Sequence, residues 1–340
     1  MQVQRLKTSW RFRQSGIRLL RVAVGMAVAG YLFHKTGSKA VFDALAQCDL
    51  RLVVLTLPLV IAVQMAGGLR IQWLLADQRC YVSYPIALKT TLIGVLTGMA
   101  FFGPIGGDAA RLYLFKQRAP RCSLVQVGWA LVADRFSGMF ALCLVVLFIN
   151  RTASLSWRTS SGGRAALVAA AVVGSGCVMA MVFSHWKSGL HWCLRRIGPR
   201  VIEKNLSSAT DGLHQPRWQR ALLLSFFIHL CALTAGCLMA LACGLKIATW
   251  DVAAIISTTT LVLAFPLTPF GLGIRDGSLL LLFQLAGVTD RPQILAVSAL
   301  LLMPPLFSSA LGALSWTTLG IPETYAGSDM AQNSPERGKI

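Results

Sequence analysis

Acidic residues are scarce in this sequence. Asp and Glu number 13 of 340 residues against 32 Lys and Arg, and charged residues of both signs make up only 13% of the chain. A soluble domain usually carries about 25%, so the shortage excludes an ordinary soluble fold. Metal and redox motifs are missing too. The nine cysteines (Cys48, Cys80, Cys122, Cys143, Cys177, Cys193, Cys231, Cys237 and Cys243) include no C-x-x-C pair, and the five histidines are dispersed. That scatter points to no metal site. We expect the cysteines to serve as small apolar residues rather than as disulfides or ligands, and His229 to be a packed, hydrogen-bonded residue. No P-loop, dinucleotide fingerprint, zinc motif or nucleophile elbow occurs. The reading is therefore no cofactor, no metal and no enzymatic site. The longest polar stretch between apolar runs, 185–220, is too short for a domain of its own.

What the sequence has instead is long apolar runs. Apolar residues make up 55% and the mean hydropathy is +0.62. The runs cover 22–33, 52–76, 86–103, 124–149, 165–184, 221–243, 252–272, 278–289 and 294–319. About 20 apolar residues cross a bilayer as a helix, and lipid permits only helices or closed barrels. Runs this uniform lack the alternation of a barrel strand. The prediction is an all-α polytopic transmembrane helix bundle. It forms one membrane domain over 1–320 with pseudo-repeated halves at 17–184 and 185–320, followed by a polar tail, 321–340, of disordered composition. No small-residue cleavage site follows 22–33, so that run is expected to be a retained first helix. Gly67-Gly68, and Gly25 with Gly30, could let helices approach closely.

The formal charge of +19 does not mark a nucleic-acid binder, because the cations flank apolar runs. Lys and Arg in such places mark the cytoplasmic side. Residues 1–21 hold Arg5, Lys7, Arg11, Arg13, Arg18 and Arg21 with no acid. Residues 104–123 hold Arg111, Lys116, Arg118 and Arg121 against Asp108, and 185–220 hold seven cations against Glu203 and Asp211. All three segments, and so the N-terminus, are expected in the cytoplasm beside anionic lipid. A plain third crossing at 86–103 would put 104–123 outside. The conflict disappears if 86–118 enters and leaves on one side as a re-entrant segment. Residues 187–202 read equally as an interfacial amphipathic helix or as an ordinary basic loop.

Two interruptions resemble each other. One is Pro104-Ile105-Gly106-Gly107-Asp108-Ala109-Ala110-Arg111, the other Pro269-Phe270-Gly271-Leu272-Gly273-Ile274-Arg275-Asp276. Paired breaks in two halves are a pointer to a transporter's midplane site, although Gly and Pro also simply end helices. A helix that starts after such a turn presents free N–H groups that suit a phosphate, and Arg matches its oxygens bidentately. Asp108 could cap the following helix or pair with Arg111 three residues on. Asp134 and Arg135 lie within a run, where ionisable groups are costly and suggest function. Being adjacent they point to different sides, so each needs a partner elsewhere, in the site or in a structural ion pair; Asp108, Asp276, Arg111 and Arg275 are the candidates. Arg70 is a weaker candidate because it can snorkel to a span end. The expected site is a single cavity in which Arg111, Arg135 and Arg275 meet a lipid headgroup and Asp108, Asp134 and Asp276 balance them. The backbone breaks are Pro104, Gly106, Gly107, Pro269, Gly271 and Gly273.

Three stretches, Gly106-Gly107-Asp108-Ala109-Ala110-Arg111, Asp134-Arg135-Phe136-Ser137-Gly138 and Gly271-Leu272-Gly273-Ile274-Arg275-Asp276-Gly277, resemble in order and spacing the lysylphosphatidylglycerol synthase transmembrane region, a flippase-like membrane family. The resemblance covers roughly Ile17 to Leu319. Phe270 stands where the family commonly has a glycine, Asp276 where it has Glu, and Met303-Pro304-Pro305 interrupts the last run. The resemblance implies lipid translocation in a bacterial inner membrane, with a phospholipid, hopanoid or other polar lipid as cargo. The bifunctional synthases add a soluble aminoacyl-transferase domain that is not expected here, so synthase activity is not carried over. Three readings stay open: a lipid transporter, a scaffold or regulator of a lipid-modifying enzyme, and a membrane-embedded headgroup transferase. The expected partners are membrane lipids, a lipid-modifying enzyme or a second copy of the chain, and not nucleic acid.

Overall fold

A continuous apolar surface dictates how these helices pack. In the 28-residue helix α2 (Leu50–Asp77), Leu50, Val54, Leu57, Ile61 and Met65 follow a helical spacing and are exposed, while Ile71, Leu74 and Leu75 turn inward. An exposed stripe of large apolar side chains suits lipid as the solvent, whereas water would penalise it. The structure, a computed structural model, describes residues 30–32, 34, 36–100, 103–152, 216–264 and 271–319. The runs 22–33 and 165–184, the cationic head 1–21, residues 187–202, Pro269 with Phe270, and the tail 321–340 fall wholly or almost wholly outside them.

The described residues are helical, without strands. After the short α1 (Ser38–Ala46) come α2, α3 (Tyr84–Ala100), α4 (Pro104–Arg118) and α5 (Leu124–Thr152). They are followed by α6 (Pro216–Ala242), α7 (Thr249–Leu263), α8 (Ile274–Leu285), α9 (Arg291–Leu300) and α10 (Met303–Leu319). Among the described residues, α2, α5, α6 and the α9–α10 unit are long and apolar enough to cross a membrane, and α3 and α7 are shorter apolar helices. The chain is therefore a multi-pass membrane helix bundle. The sequence reading did not anticipate α1, which is short and packs against α9.

Each half follows one plan: a long helix, a pair of short helices, and a closing span. In the first half these are α2, α3–α4 and α5; in the second, α6, α7–α8 and α9–α10. The opening helices of the two halves run antiparallel. At one end the Asp49 amide donates to the Ala242 carbonyl at 2.9 Å, and at the other Arg70 Nη1 donates to Ser225 Oγ at 3.0 Å. The closing spans then exchange halves. Asn150 of α5 donates to Thr258 of α7 at 3.2 Å, and Gly312 of α10 lies against the backbone of Leu92 in α3. Opposed direction with exchanged packing is the arrangement of an inverted repeat, whose interface carries the substrate site in many transporters.

The first short pair is an antiparallel hairpin. Gly103 turns the chain at φ 63°, a left-handed value that favours glycine, and Pro104 starts α4 at the position where its missing N–H costs nothing. Gly94 and Gly98 of α3 face Gly107 of α4 with backbone nearly touching backbone. Gly68 of α2 likewise sits against the Leu88 backbone; a Cβ there would be 2.9 Å from Leu88 Cα. Tyr84 and Arg118 thus lie at the same end of the bundle. In the second pair Gly271 and Gly273 carry φ 65° and 77°, and α7 packs on α8.

One expectation is corrected here. Cys80, after α2, and Cys122, after α4, are joined by a disulfide with Cα atoms 5.7 Å apart. The two turns meet at one end of the bundle, and a separation of 42 residues leaves no spacing signal. The other seven cysteines of the sequence do not alter that correction: Cys143, Cys231, Cys237 and Cys243 are buried thiols, as expected of small apolar residues.

Candidate functional site

The buried charges of the first half are held by three elements. Arg70 comes from α2, Asp108 and Arg111 from α4, and Asp134 and Arg135 from α5. Asp134 is only 3% exposed. Its Oδ1 accepts from Arg70 Nε at 2.7 Å and its Oδ2 from Arg111 Nη1 at 3.2 Å. On the neighbouring face of α5, Arg135 makes a two-pronged bond to Asp108, Nε to Oδ2 at 2.8 Å and Nη2 to Oδ1 at 2.9 Å. Arg111 Nη1 also reaches Asp108 Oδ1 at 3.4 Å. As their adjacency requires, Asp134 and Arg135 take separate partners. The cost of each buried charge is met by opposite charge and hydrogen bonds together.

These groups wall a cavity of about 460 Å³ between the two halves. Gln64, Gly67 and Arg70 line it from α2, Gly94 and Gly98 from α3, and Leu263, Gly271 and Pro305 from the second half. Both Gly-rich breaks therefore reach one cavity. Three guanidinium groups against two carboxylates leave one positive charge in surplus. Two features suggest where a ligand would sit. The Arg135 side chain is half exposed, while that of Arg111 is nine-tenths buried with an Nε that has no partner among the described residues. Gly94 makes room for Arg111: a Cβ there would lie 2.6 Å from Arg111 Cγ and Cδ.

Arg275 and Asp276 do not join this cluster, which corrects the expectation of one shared cavity. Arg275 Nε donates to Ser298 Oγ at 2.9 Å and Nη2 to Asp276 Oδ1 at 3.4 Å. Ser298 Oγ donates to Asp276 as well, and Asp276 Oδ2 accepts from the Gly273 amide at 2.9 Å. The reason lies in where each helix starts. α4 begins before Gly106-Gly107, so Asp108 and Arg111 stand one and two turns in. α8 begins after its glycines, so Arg275 and Asp276 occupy its first turn, where a carboxylate satisfies a free N–H. Asp108 in turn does not cap α4, whose N-cap is Gly103. Arg275 instead lines a neighbouring cavity of about 220 Å³, which shares Leu263 and Pro305 with the first.

Of the backbone breaks, Gly107 and Gly271 line the larger cavity, Gly273 caps α8, Pro104 opens α4, and Pro269 lies outside the described residues. Gly106 stands in the first turn of α4. Sequence reasoning undervalued Arg70. It does not snorkel; it is a full member of the network, packed beneath Gly138, where a Cβ would come within 3.3 Å of its Nη1. His229 packs nearby, as expected, with Nε2 2.8 Å from the Gly138 carbonyl. Among the described residues no group of three or more His, Cys, Asp or Glu could hold a metal.

Comparison with known proteins gives one family. The model for the lysylphosphatidylglycerol synthase TM region matches residues 18–321. No curated protein and no solved structure matches the chain.

Proposed function

We propose that this chain, which belongs to the lysylphosphatidylglycerol synthase TM-region family, carries polar lipids across a bacterial inner membrane as a transporter rather than an enzyme. The carrying observation is the surplus positive charge in a cavity between two inverted halves. A phosphate-bearing headgroup suits it. Arg111 waits with an unused Nε, and Arg135 can exchange the carboxylate of Asp108 for a phosphate without leaving its position, since its fork fits either anion. The apolar stripe on α2, and the exposed Leu223, Phe227 and Leu230 on α6, leave the acyl chains in the bilayer while the headgroup is inside. Asp134, engaged by two arginines, is poorly placed to serve as the base of a headgroup transferase. The N-terminus is placed in the cytoplasm, on the side of the basic segments 104–123 and 185–220.

The test is reconstitution of the purified full chain in vesicles with a headgroup-labelled anionic phospholipid, reading exchange between leaflets. Arg135→Ala is the informative variant because the side chain is half exposed and its loss should not unfold the bundle. Exchange is expected to fall at least roughly tenfold, a charge-assisted bond being worth about 1.5–3 kcal/mol. Arg135→Lys should not restore it, because an ammonium cannot reproduce the two-pronged contact. Exchange by Arg135→Ala at the parental rate would remove the site. An unsubstituted chain no faster than protein-free vesicles would favour the scaffold reading instead.

A further inference from the structure

Two pairs of cysteines stand at opposite ends of α2. One is the Cys80–Cys122 pair, which ties turns within the first half. The other is Cys48, just before the N-cap of α2, and Cys243, just after the last turn of α6. Their sulfurs are 3.0 Å apart, inside the ~3.5–4.0 Å at which even carbon atoms rest in contact. The backbone holds them there: the Asp49 amide donates to the Ala242 carbonyl at 2.9 Å, one residue along from each cysteine. The bond itself is ~2.05 Å long, about 1 Å short of the present separation.

We propose that Cys48 and Cys243 form a disulfide that joins the two halves of the bundle covalently. Two thiols lose two protons and two electrons when the bond forms. Exchange with a protein or small-molecule disulfide supplies the balance, that partner being reduced to two thiols. The two ends of α2 differ in compartment. α2 is 28 residues long, roughly 42 Å of helix, enough to cross a bilayer. At the Cys80 end lie Arg79, Lys116, Arg118, Arg121 and Arg220 against Asp77. The Cys48 end carries Asp43, Asp49, Asp251 and Asp290 among its cations. On the orientation proposed above, Cys48 and Cys243 face the non-cytoplasmic side, where disulfides persist. Because 195 residues separate Cys48 from Cys243, the bond spans the repeat boundary. It pins α2 to α6 at one end and leaves relative motion of the halves to the other.

The full chain in freshly isolated membranes decides this. Free thiols are blocked with maleimide at lysis, the protein is digested without reductant, and peptides are read by mass spectrometry. The expected result is a joined peptide pair carrying Cys48 and Cys243, beside the Cys80–Cys122 pair that the structure already joins. Maleimide on both Cys48 and Cys243 overturns the proposal, as does the inverse pattern with only Cys80 and Cys122 joined. A Lys246→Cys variant in an otherwise cysteine-free chain separates the two premises. Labelling of that cysteine by an impermeant maleimide from the cytoplasmic side alone means that the orientation failed. Labelling from the outer side, together with free Cys48 and Cys243, means that the disulfide failed.

Discussion

Asp134→Ala is expected to cost the bundle about 3–5 kcal/mol, the penalty for leaving buried charge without its partner. Asp134 is the carboxylate on which Arg70 and Arg111 both converge, and the side chains of those two arginines are only 13% and 9% exposed. Without it Arg111 keeps the 3.4 Å contact to Asp108, and among the described residues Arg70 keeps a neutral hydroxyl, that of Ser225. The chain should accumulate poorly, and what remains should lose its detergent-solubilised fold at a markedly lower temperature, followed by size-exclusion chromatography after heating. Removing a cation with the carboxylate tests the cause. Arg70→Met combined with Asp134→Leu keeps the charge balance and replaces the pair by apolar volume, which is often neutral or better for a buried pair. The double variant should regain more than half of the loss. A single Asp134→Ala variant as heat-resistant as the parent would mean that the pair behaves like an exposed one, worth ~0–1 kcal/mol, and that water fills the cavity around it.

The membrane class was legible in the sequence because apolar runs of this length have one physical outcome. The boundaries of α2, α5 and α6 follow the runs 52–76, 124–149 and 221–243 closely. The hairpin at Gly103-Pro104 was legible too, since a basic segment on the wrong side of a plain crossing demands a return. Partnership was legible in part. Asp108 and Arg111 stood among the candidate partners of Arg135 and Asp134, and they are the residues that these two meet. Arg70 finds Asp134 across 64 residues, and no local period encodes such a distance. The likeness of the two Gly-rich breaks gave the right meeting place for the backbone and the wrong one for Arg275. A helix start shifted past the glycines turns the same residue types from a cavity wall into a cap. Cys80 and Cys122 failed for a related reason, because their proximity is a property of hairpin closure, not of either turn.

Gly107→Leu is expected to separate α3 from α4 and to abolish lipid exchange even though no charge is touched. A Cβ at Gly107 would run into the Gly94 carbonyl oxygen, with Gly94 C at 3.3 Å and Gly98 Cα at 3.5 Å. Backbone atoms cannot rotate aside as a side chain can, so the hairpin must open or the helix must shift. Overpacking of a fitted interface costs about 1–3 kcal/mol, and a Leu here meets backbone on every near side. The displacement acts on the site directly, because Asp108 follows Gly107 in the chain and Arg111 lies one turn on. Moving α4 away from α3 therefore pulls Asp108 from Arg135 and Arg111 from Asp134. Gly128→Ala is the matched control: that glycine also lies within a helix of the bundle, and a Cβ there meets nothing within 4 Å. The control should be neutral or slightly stabilising, by up to about 1 kcal/mol, because Ala is the better helix former. Exchange in vesicles and thermal resistance in detergent should fall together for Gly107→Leu and stay at the parental level for Gly128→Ala. Equal tolerance of both would show that α3 and α4 do not need their close contact, and that the hairpin is not what positions Arg111 against the cavity.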